Sequence, residues 1–488
     1  MNIDEYARLD GVGIAKLIAD KEVTAAEVHA AAKQAIAKVQ PTLNACTGEP
    51  WAQPLEYEPE GPLAGVPFAL KDLVCYAKDV PGKWGSRLAG ESGISFDHDT
   101  VLMSRFRKAG LATTVMTATP EFGYGGNTEP LVNGSTRNPW DTTRSVGGSS
   151  GGSGALVAAG GVPIAHANDA GGSIRIPSSY NGTVGLKPSR GLVPLGPAIG
   201  EGAFGLAAEF AITRTVRDAA AVLDQVAGWA PGERYRVHAP KISYSAASAV
   251  RAEPMRIAIC TESWAGTAVE ADVAAAVEAT GRVLSELGHH IDYATPIFNW
   301  EEFMEAECCF WWSHAFGSVM AVSQMSGREP GPETVEASTL AGFRAGQNLT
   351  LNELSRALGI QNGISRTFGQ FFTEYDVLIT PTTNSTALPL GFLDHNDGSI
   401  DAATWVHKFH DHLSFTPPYN QTGLPAISLP LGLSRDGMPI GVQLGGDMCS
   451  ESLLLSLAAE LEEAMPWSGR KPAVHASTAD KKATLSDA

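Results

Sequence analysis

The chain has 488 residues, 44% of them hydrophobic, which is enough to bury a large core in one extended domain or in two or three smaller ones. Its formal net charge of -18 argues against a surface that follows nucleic-acid phosphates, because such proteins usually carry a basic patch. No basic segment followed by an apolar stretch opens the chain, and no run of about 18 apolar residues occurs in it. We therefore expect a cytoplasmic protein that binds neither nucleic acid nor membranes. The six cysteines form no C-x-x-C pair, which predicts free thiols in a reducing compartment.

Helix and strand patterns alternate along the chain. Thr24 and Glu27 form the capping box T-x-x-E, which predicts the start of a helix. Further strands are predicted at 113–117, 255–260, 290–293 and 377–380, and further helices at 272–287 and 451–465. This alternation is typical of a layered α/β fold.

Residues 231–254 are rich in Pro, Gly and small polar residues, but strand and helix patterns resume directly after them. We interpret this segment as an excursion within one domain that covers residues 1–472. The last stretch, residues 473–488, lacks apolar periodicity and is predicted to be a disordered tail.

The densest feature is the Gly- and Ser-rich block of residues 145–191. Its G-G-S-S-G-G-S string is typical of a flexible linker, but an apolar stretch at 155–159 and a second Gly-Gly-Ser at 171–173 follow it, and a linker needs neither. A nucleophile elbow centred on Ser150 is a second interpretation, although no apolar strand precedes that serine. A phosphate-binding loop is excluded because the block lacks Gly-Lys-Ser/Thr.

The A-G-G-S string at residues 170–173 supports a third interpretation. Glycine tolerates positive φ and has no side chain to block approach, so such a turn can direct several backbone N–H groups to one point. Converging donors of this kind stabilise an oxyanion, each by roughly 3–4 kcal/mol. Ser173 is well placed to attack the carbonyl group that they polarise.

A nucleophilic serine needs a base. His166 is near in sequence, but its apolar surroundings are equally typical of a core histidine. Lys71 lies between two apolar runs, 66–70 and 73–75. Burial there would lower its pKa from about 10.4 and supply a neutral amine near pH 7, whereas a surface lysine with an extended side chain is the alternative.

Taken together, these motifs resemble the amidase-signature family. The matching strings are G-V-P at 65–67 with K-D at 71–72, R-S-V-G-G-S-S-G-G at 144–152, D-A-G-G-S-I-R-I-P at 169–177, G-L-K-P at 185–188, G-L-P-A-I-S-L-P at 423–430 and G-M-P-I-G-V-Q at 437–443. The resemblance implies a single large α/β domain whose mixed central β-sheet is covered by helices on both faces. It places the signature core at about 60–215 and a variable substrate-pocket region at about 230–375.

The resemblance also implies the roles of individual residues. The catalytic set is Ser173 as nucleophile, Ser149 as proton relay and Lys71 as base, although nothing local distinguishes Ser149 from Ser150. The oxyanion hole maps onto Ala170, Gly171 and Gly172, and we expect Asp169 and Arg175 to pair and shape the loop. No metal or organic cofactor is implied.

Two positions depart from the commonest family pattern: Asn168 stands where threonine is frequent, and Ala170 replaces a bulkier or hydroxylated residue. We interpret both as affecting pocket shape. The strings at 135–140 and 166–169 are most similar to the branch that contains nylon-oligomer cyclic-dimer hydrolases.

Two other clusters of residues need an interpretation. The aromatic residues of segment 300–316 fit a core helix or, alternatively, the wall of a substrate pocket. His407, His410 and His412 lack the spacing and the partner ligands of a metal site and are predicted to lie in a solvated loop.

The sequence therefore predicts a stand-alone amidase that cleaves hydrophobic, aryl or cyclic small-molecule amides, with a homodimer as the candidate assembly. The alternative is the glutamine-hydrolysing catalytic subunit of a tRNA-dependent amidotransferase, which would need a polar pocket and a partner protein. A non-catalytic binding protein is disfavoured because all three catalytic positions are intact.

Overall fold

The fold is built on one mixed β-sheet. The computed structural model describes residues 1–478. Its strands are β1 (Pro67–Lys71), β2 (Ala112–Thr117), β3 (Ile164–Asp169), β4 (Val184–Lys187), β5 (Ala208–Thr213), β6 (Arg256–Ile259), β7 (His290–Tyr293), β8 (Val377–Pro381), β9 (Ala426–Leu433) and β10 (Pro439–Gly446). They form a single sheet in the order β2-β1-β3-β5-β4-β9-β10-β8-β6-β7. The outer strands pair in parallel and the central ones antiparallel, so the sheet is mixed, as expected.

Helices cover this sheet. They are α1 (Ile3–Tyr6), α2 (Gly11–Ala19), α3 (Ala25–Leu43), α4 (Val101–Ala109), α5 (Gly151–Ala158), α6 (Arg175–Asn181), α7 (Val216–Val226), α8 (Tyr244–Ser248), α9 (Ala271–Glu286), α10 (Trp300–Ser326), α11 (Ala337–Gln347), α12 (Leu351–Phe371), α13 (Ala402–His410), α14 (Pro417–Thr422) and α15 (Glu451–Ala464). The predicted capping box is present at the start of α3, where Thr24 accepts from the N–H of Glu27 and the Glu27 side chain accepts in return.

Two apolar cores lie on opposite faces of the sheet. In β6, Ile257 and Ile259 belong to the core formed with α3, α4, α7, α9 and α15, whereas Ala258 between them belongs to the core formed with α10, α12 and α13. Successive strand residues point to opposite faces, so this alternation confirms that helices cover both sides. The α/β class and the single large domain are therefore as predicted.

The predicted boundary at residue 472 is too early. Residues 473–478 are packed against the domain: the Ala476 N–H donates to the Ala159 carbonyl at 2.8 Å, and Ala476 is fully buried. The contacts are made by the short run Val474, His475 and Ala476, which is too brief to show a helix or strand period in the sequence. The rest of the predicted tail, 479–488, lies outside the described residues.

The sheet brings the G-V-P/K-D motif of residues 65–72 and the D-A-G-G-S motif that begins at residue 169 together. β1 and β3 are parallel neighbours, with Phe68 opposite Ile164. Lys71 ends β1 and Asp169 ends β3, so both lie at the same edge, because the carboxyl ends of parallel strands meet there.

Two further observations concern the whole described chain. No helix within residues 1–478 is long and apolar enough to cross a lipid bilayer. All six cysteines are unpaired, and only Cys449 is exposed.

Candidate active site

Lys71 is fully buried, with three oxygen atoms around its ammonium nitrogen. Its Nζ lies 2.7 Å from Ser149 Oγ, 3.0 Å from Ser150 Oγ and 2.5 Å from Asn168 Oδ1. Burial lowers the pKa of Lys71 to about 7, and the more distant carboxylates of Glu209 and Asp169 oppose this shift only in part. Near neutral pH a large share of the molecules therefore holds a neutral amine.

The hydrogen bonds of the two neighbours show where the lone pair of that amine points. Asn168 Nδ2 donates to the Leu73 carbonyl, so its Oδ1 faces Lys71 and can only accept. Ser150 donates its hydroxyl proton to the Asn168 carbonyl at 3.1 Å, so Ser150 Oγ also accepts from Lys71. A neutral lysine has two N–H bonds, and these two acceptors use both of them. The remaining lone pair is left for the hydroxyl of Ser149.

This geometry distinguishes the two serines that sequence analysis could not separate. Ser149 Oγ contacts Lys71 and lies close to Gly123, and the Gly148–Ser149 peptide bond is cis. Ser150 instead precedes α5, and the chain leading to it is not one of the strands of the sheet, so the nucleophile-elbow interpretation fails. The Ser150 N–H donates to the carbonyl of Ser173 at 3.3 Å, which places Ser173 beside this pair of serines.

A buried ion pair shapes the turn that carries Ser173. Arg175 Nη2 and Nε lie 2.9 Å from the two oxygens of Asp169, and neither side chain is exposed. Asn420 bonds to both of them. Burial alone would raise the pKa of Asp169, but the charge and hydrogen bonds of Arg175 outweigh it and hold that pKa at about 2. The expected pairing of Asp169 with Arg175 is therefore present.

The predicted oxyanion donors are not equivalent. Gly172 donates its N–H to Asp169 Oδ1 at 2.7 Å, so this N–H is already hydrogen-bonded within the loop. Gly172 instead provides φ of 132°, and a Cβ there would lie 2.2 Å from Thr416 Oγ1. Among residues 1–478 no acceptor lies on the N–H groups of Ala170 and Gly171. These two residues are also the only partly exposed ones between 145 and 181.

One aromatic side chain lies against the partly exposed loop at Ala170 and Gly171, and a second packs on it. Trp311 of α10 packs on the loop, since a Cβ on Gly171 would lie 3.0 Å from its Cζ2. The ring of Tyr124 meets Trp311 edge to face at 5.8 Å. The aromatic segment 300–316 therefore belongs to a core helix, as one interpretation held, and one of its residues also reaches the candidate site.

Three polar residues singled out in the sequence, His166, His410 and Asn168, are all buried, each with a side-chain partner. His166 is a core histidine bonded to Glu209 at 2.6 Å, away from the nucleophile. The solvated-loop prediction is wrong for His410, which is fully buried in α13 and bonded to Glu307 at 2.8 Å. Asn168 was expected to affect only pocket shape, yet its side chain contacts Lys71; its position three residues before a Gly-Gly-Ser carries no local signal of this contact.

No group of three or more His, Cys, Asp and Glu side chains in the described part of the chain could hold a metal ion. The polar groups brought together at this candidate site are the Lys71 amine, the three hydroxyl groups of Ser149, Ser150 and Ser173, and the backbone N–H groups of Ala170, Gly171 and Ser173, which have no acceptor among residues 1–478. Such a set can move protons and stabilise a negative oxygen.

Comparison with known proteins agrees with this arrangement. The family described as Amidase matches residues 25–455, so the chain belongs to the Amidase family. A 6-aminohexanoate-cyclic-dimer hydrolase of Paenarthrobacter ureafaciens is 35% identical over 95% of this chain and 96% of its own length. An acylamidase of Rhodococcus erythropolis is 32% identical over 95% of this chain and 97% of its own.

The solved structures give the same family and fold. The 6-aminohexanoate cyclic dimer hydrolase complexed with substrate superposes with a TM-score of 0.87, at 32% identity, and covers 96% of this chain and 99% of that one. A glutamyl-tRNA(Gln) amidotransferase component from Thermotoga maritima is more distant, with a TM-score of 0.75 at 25% identity over 98% of both proteins. The chain is thus an amide hydrolase that acts on carbon–nitrogen bonds.

Proposed function

We propose that this amidase works through an acyl-enzyme on Ser173, with Ser149 as the proton relay and Lys71 as the base. The observation that carries the proposal is the environment of Lys71, a buried amine whose two N–H bonds are held by Asn168 and Ser150. The lone pair of the neutral amine faces the hydroxyl group of Ser149. Transfer of the Ser149 proton to this amine is the first proton transfer that the reaction requires.

In the acylation step Ser149 passes its proton to Lys71 and takes the proton of Ser173. The Ser173 oxygen then forms a bond to the amide carbon, and the carbonyl oxygen becomes an anion held by the N–H groups of Ala170 and Gly171. As the tetrahedral intermediate collapses, the proton returns from Lys71 through Ser149 to the leaving nitrogen, because an unprotonated amide nitrogen is a very poor leaving group. The carbon–nitrogen bond breaks and the amine departs.

In the second step water attacks the ester on Ser173. Ser149 takes the water proton and Lys71 again holds the proton that Ser149 releases. Collapse of the second tetrahedral intermediate returns that proton to Ser173, and the carboxylic acid leaves. The balance closes with one water consumed for each amide bond cleaved, and every proton is carried by this chain's own side chains.

We propose hydrophobic amides, aryl or cyclic, as the substrates. Trp311 lies against the loop at Gly171, with the buried ring of Tyr124 packed behind it, so a group of the substrate bound beside Ala170 and Gly171 would lie close to an aromatic ring. The names of the relatives, a cyclic-dimer hydrolase and an acylamidase, are consistent with this choice. A homodimer stays a prediction, which sedimentation velocity would check.

The aromatic ring of Trp311 beside the loop also disfavours the amidotransferase alternative. Glutamine carries charged groups at its α-carbon, and an aromatic wall offers them no partner. If glutamine were hydrolysed only in the presence of a partner protein and tRNA, the alternative would replace our proposal.

The proposal is tested with the purified chain alone and a series of anilides and cyclic amides. We expect amine release by the unaltered protein and a loss of at least about a thousandfold in kcat for Ser173→Ala, since the nucleophile is removed. Lys71→Ala should lose a comparable amount. Intact-mass measurement after rapid acid quench should show a covalent acyl adduct, mapped to Ser173, that Ser173→Ala lacks. Full activity of Ser173→Ala would overturn the mechanism.

A further inference from the structure

A fully buried polar cluster lies behind Trp311, outside the signature motifs. Glu307, one turn before Trp311 on α10, accepts from the Trp311 indole N–H at 2.8 Å through Oε2. The same oxygen lies 2.8 Å from His410 Nε2 on α13, and the other oxygen accepts from Gln421 Nε2 on α14 at 2.8 Å. The side chains of Glu307, His410 and Gln421 have no solvent exposure.

The hydrogen bonds of His410 fix the orientation of its ring and of the Glu307 carboxyl group. His410 Nδ1 faces the Val406 carbonyl at 2.8 Å, and a carbonyl can only accept, so Nδ1 carries a proton. Nε2 faces the Glu307 carboxyl group, so one proton lies between the two. Either assignment of that proton gives a strong bond, and a buried carboxyl group with three partners is held in one orientation.

The cluster acts on the substrate opening through one ring. Trp311 packs against Gly171, whose N–H is one of the proposed oxyanion donors. α14 holds the same loop from the other side: Thr416, just before α14, donates its hydroxyl to the Gly171 carbonyl at 2.8 Å. Glu307 therefore connects α10, which carries Trp311, to α14, whose preceding residue Thr416 holds the loop at Gly171.

Burying a carboxyl group is costly unless its partners offset the desolvation. An apolar residue would fill the Glu307 position at lower cost if packing were its only role. The indole N–H bond explains the choice of residue, because it fixes the rotation of the Trp311 ring relative to the loop.

Building on the proposed function, we propose that Trp311 is a specificity-determining residue of the substrate pocket and that Glu307 and His410 are its positioning residues. The ring selects amides whose acyl or amine group is flat and apolar. Glu307 and His410 touch no substrate and act only through the orientation of Trp311.

The experiment compares kcat and KM over two series: anilides with acetyl, hexanoyl and benzoyl groups, and benzoyl amides with methyl, cyclohexyl and phenyl amines. Trp311→Ala should lower kcat/KM for the bulkiest member relative to the smallest by about tenfold or more. Trp311→Phe keeps a ring and removes the N–H donor, so we expect a smaller loss of about threefold in the same ratio, expressed mainly in KM.

Glu307→Met removes the oxygen that accepts the indole N–H and keeps the length of the side chain. It should reproduce the Trp311→Phe pattern, and the double variant should be no worse than either single one, because both changes remove the same bond. The matched control is Trp312→Phe. That indole N–H is buried with no partner among residues 1–478, so the same chemical change one residue along α10 should leave the ratio unchanged.

Additive losses in the double variant, or an equal effect of Trp312→Phe, would overturn the positioning role. An unchanged ratio for Trp311→Ala in both series would overturn the role of Trp311 while leaving the proposed function intact. If the unaltered protein cleaved no amide at all, the proposed function would fail, and this inference with it. Should Glu307→Met not fold, Trp311→Phe and His410→Gln carry the same comparison.

Discussion

Lys71 combines a charge-poor setting with hydrogen bonds to neutral oxygens only, and its pKa falls to about 7 because burial destabilises the ammonium form. The base must be neutral to accept a proton from Ser149. We therefore expect kcat/KM to rise with pH through about 7 and to level off above it. A pH profile on one anilide from pH 5.5 to 9 measures this, and a flat profile would contradict the assignment of Lys71 as base.

Asn168 provides a sharper test of the same residue. Asn168→Asp places a carboxylate beside Lys71 Nζ, which favours the ammonium form and should raise the Lys71 pKa by about one unit or more. The rising limb of the pH profile then moves to higher pH, and the rate at pH 7 falls while the plateau is kept.

Glu209→Gln is the control, because it should shift the Lys71 pKa in the opposite direction from Asn168→Asp. Glu209 acts on Lys71 through charge at a distance and raises its pKa, so removing that charge should move the limb to lower pH. Shifts of both variants in one direction would show that the limb does not report on Lys71.

At the level of elements, the loop between β3 and α6 depends on the pair of Asp169 and Arg175. Arg175→Met leaves Asp169 buried without its cation, which should cost about 3–5 kcal/mol in the free energy of unfolding. The exposed pair of Arg356 and Glu305 is the comparison: Arg356→Met should cost about 1 kcal/mol or less. Urea unfolding of both variants measures the difference, and equal losses would contradict the structural role of the buried pair.

Asp169 also gives this loop a pH dependence. Its folded-state pKa of about 2 is below the ordinary value of 3.8, so its stabilising contribution is present above about pH 4 and is lost as the pH falls towards 2.

Sequence patterns predicted elements whose identity depends on near neighbours. The T-x-x-E box gave the start of α3, and the predicted strand at 377–380 falls within β8. Sequence patterns failed where the partner of a residue is distant in the chain. His410 bonds in the core to Glu307, which lies 103 residues earlier, and no local pattern reveals that pair. The candidate site follows the same rule: the glycine turn predicts Ser173 from local sequence, whereas the contact of Asn168 with Lys71 depends on the sheet that brings β1 and β3 together.

At the scale of the whole molecule, the last described residues close the domain over its first ones. Ala476 bonds to Ala159, and the Val474 N–H donates to the Pro139 carbonyl at 3.0 Å. His475 fills the space beside Gly160 and Ala7, because a Cβ on Gly160 would lie 2.9 Å from its ring. The segment of residues 474–476 thus covers the end of α5, the helix that follows Ser149 and Ser150.

Truncation tests this closure. A chain ending at residue 472 loses two backbone bonds and two buried side chains relative to one ending at 478, which should lower the free energy of unfolding by about 2–4 kcal/mol. Urea unfolding of the two truncated chains measures the difference. Because these residues contact none of the reacting groups, kcat at a temperature where both chains are folded should be equal. Equal stabilities would place the domain boundary at 472, as the sequence predicted, and unequal kcat values would show that the end of α5 transmits strain to Ser149.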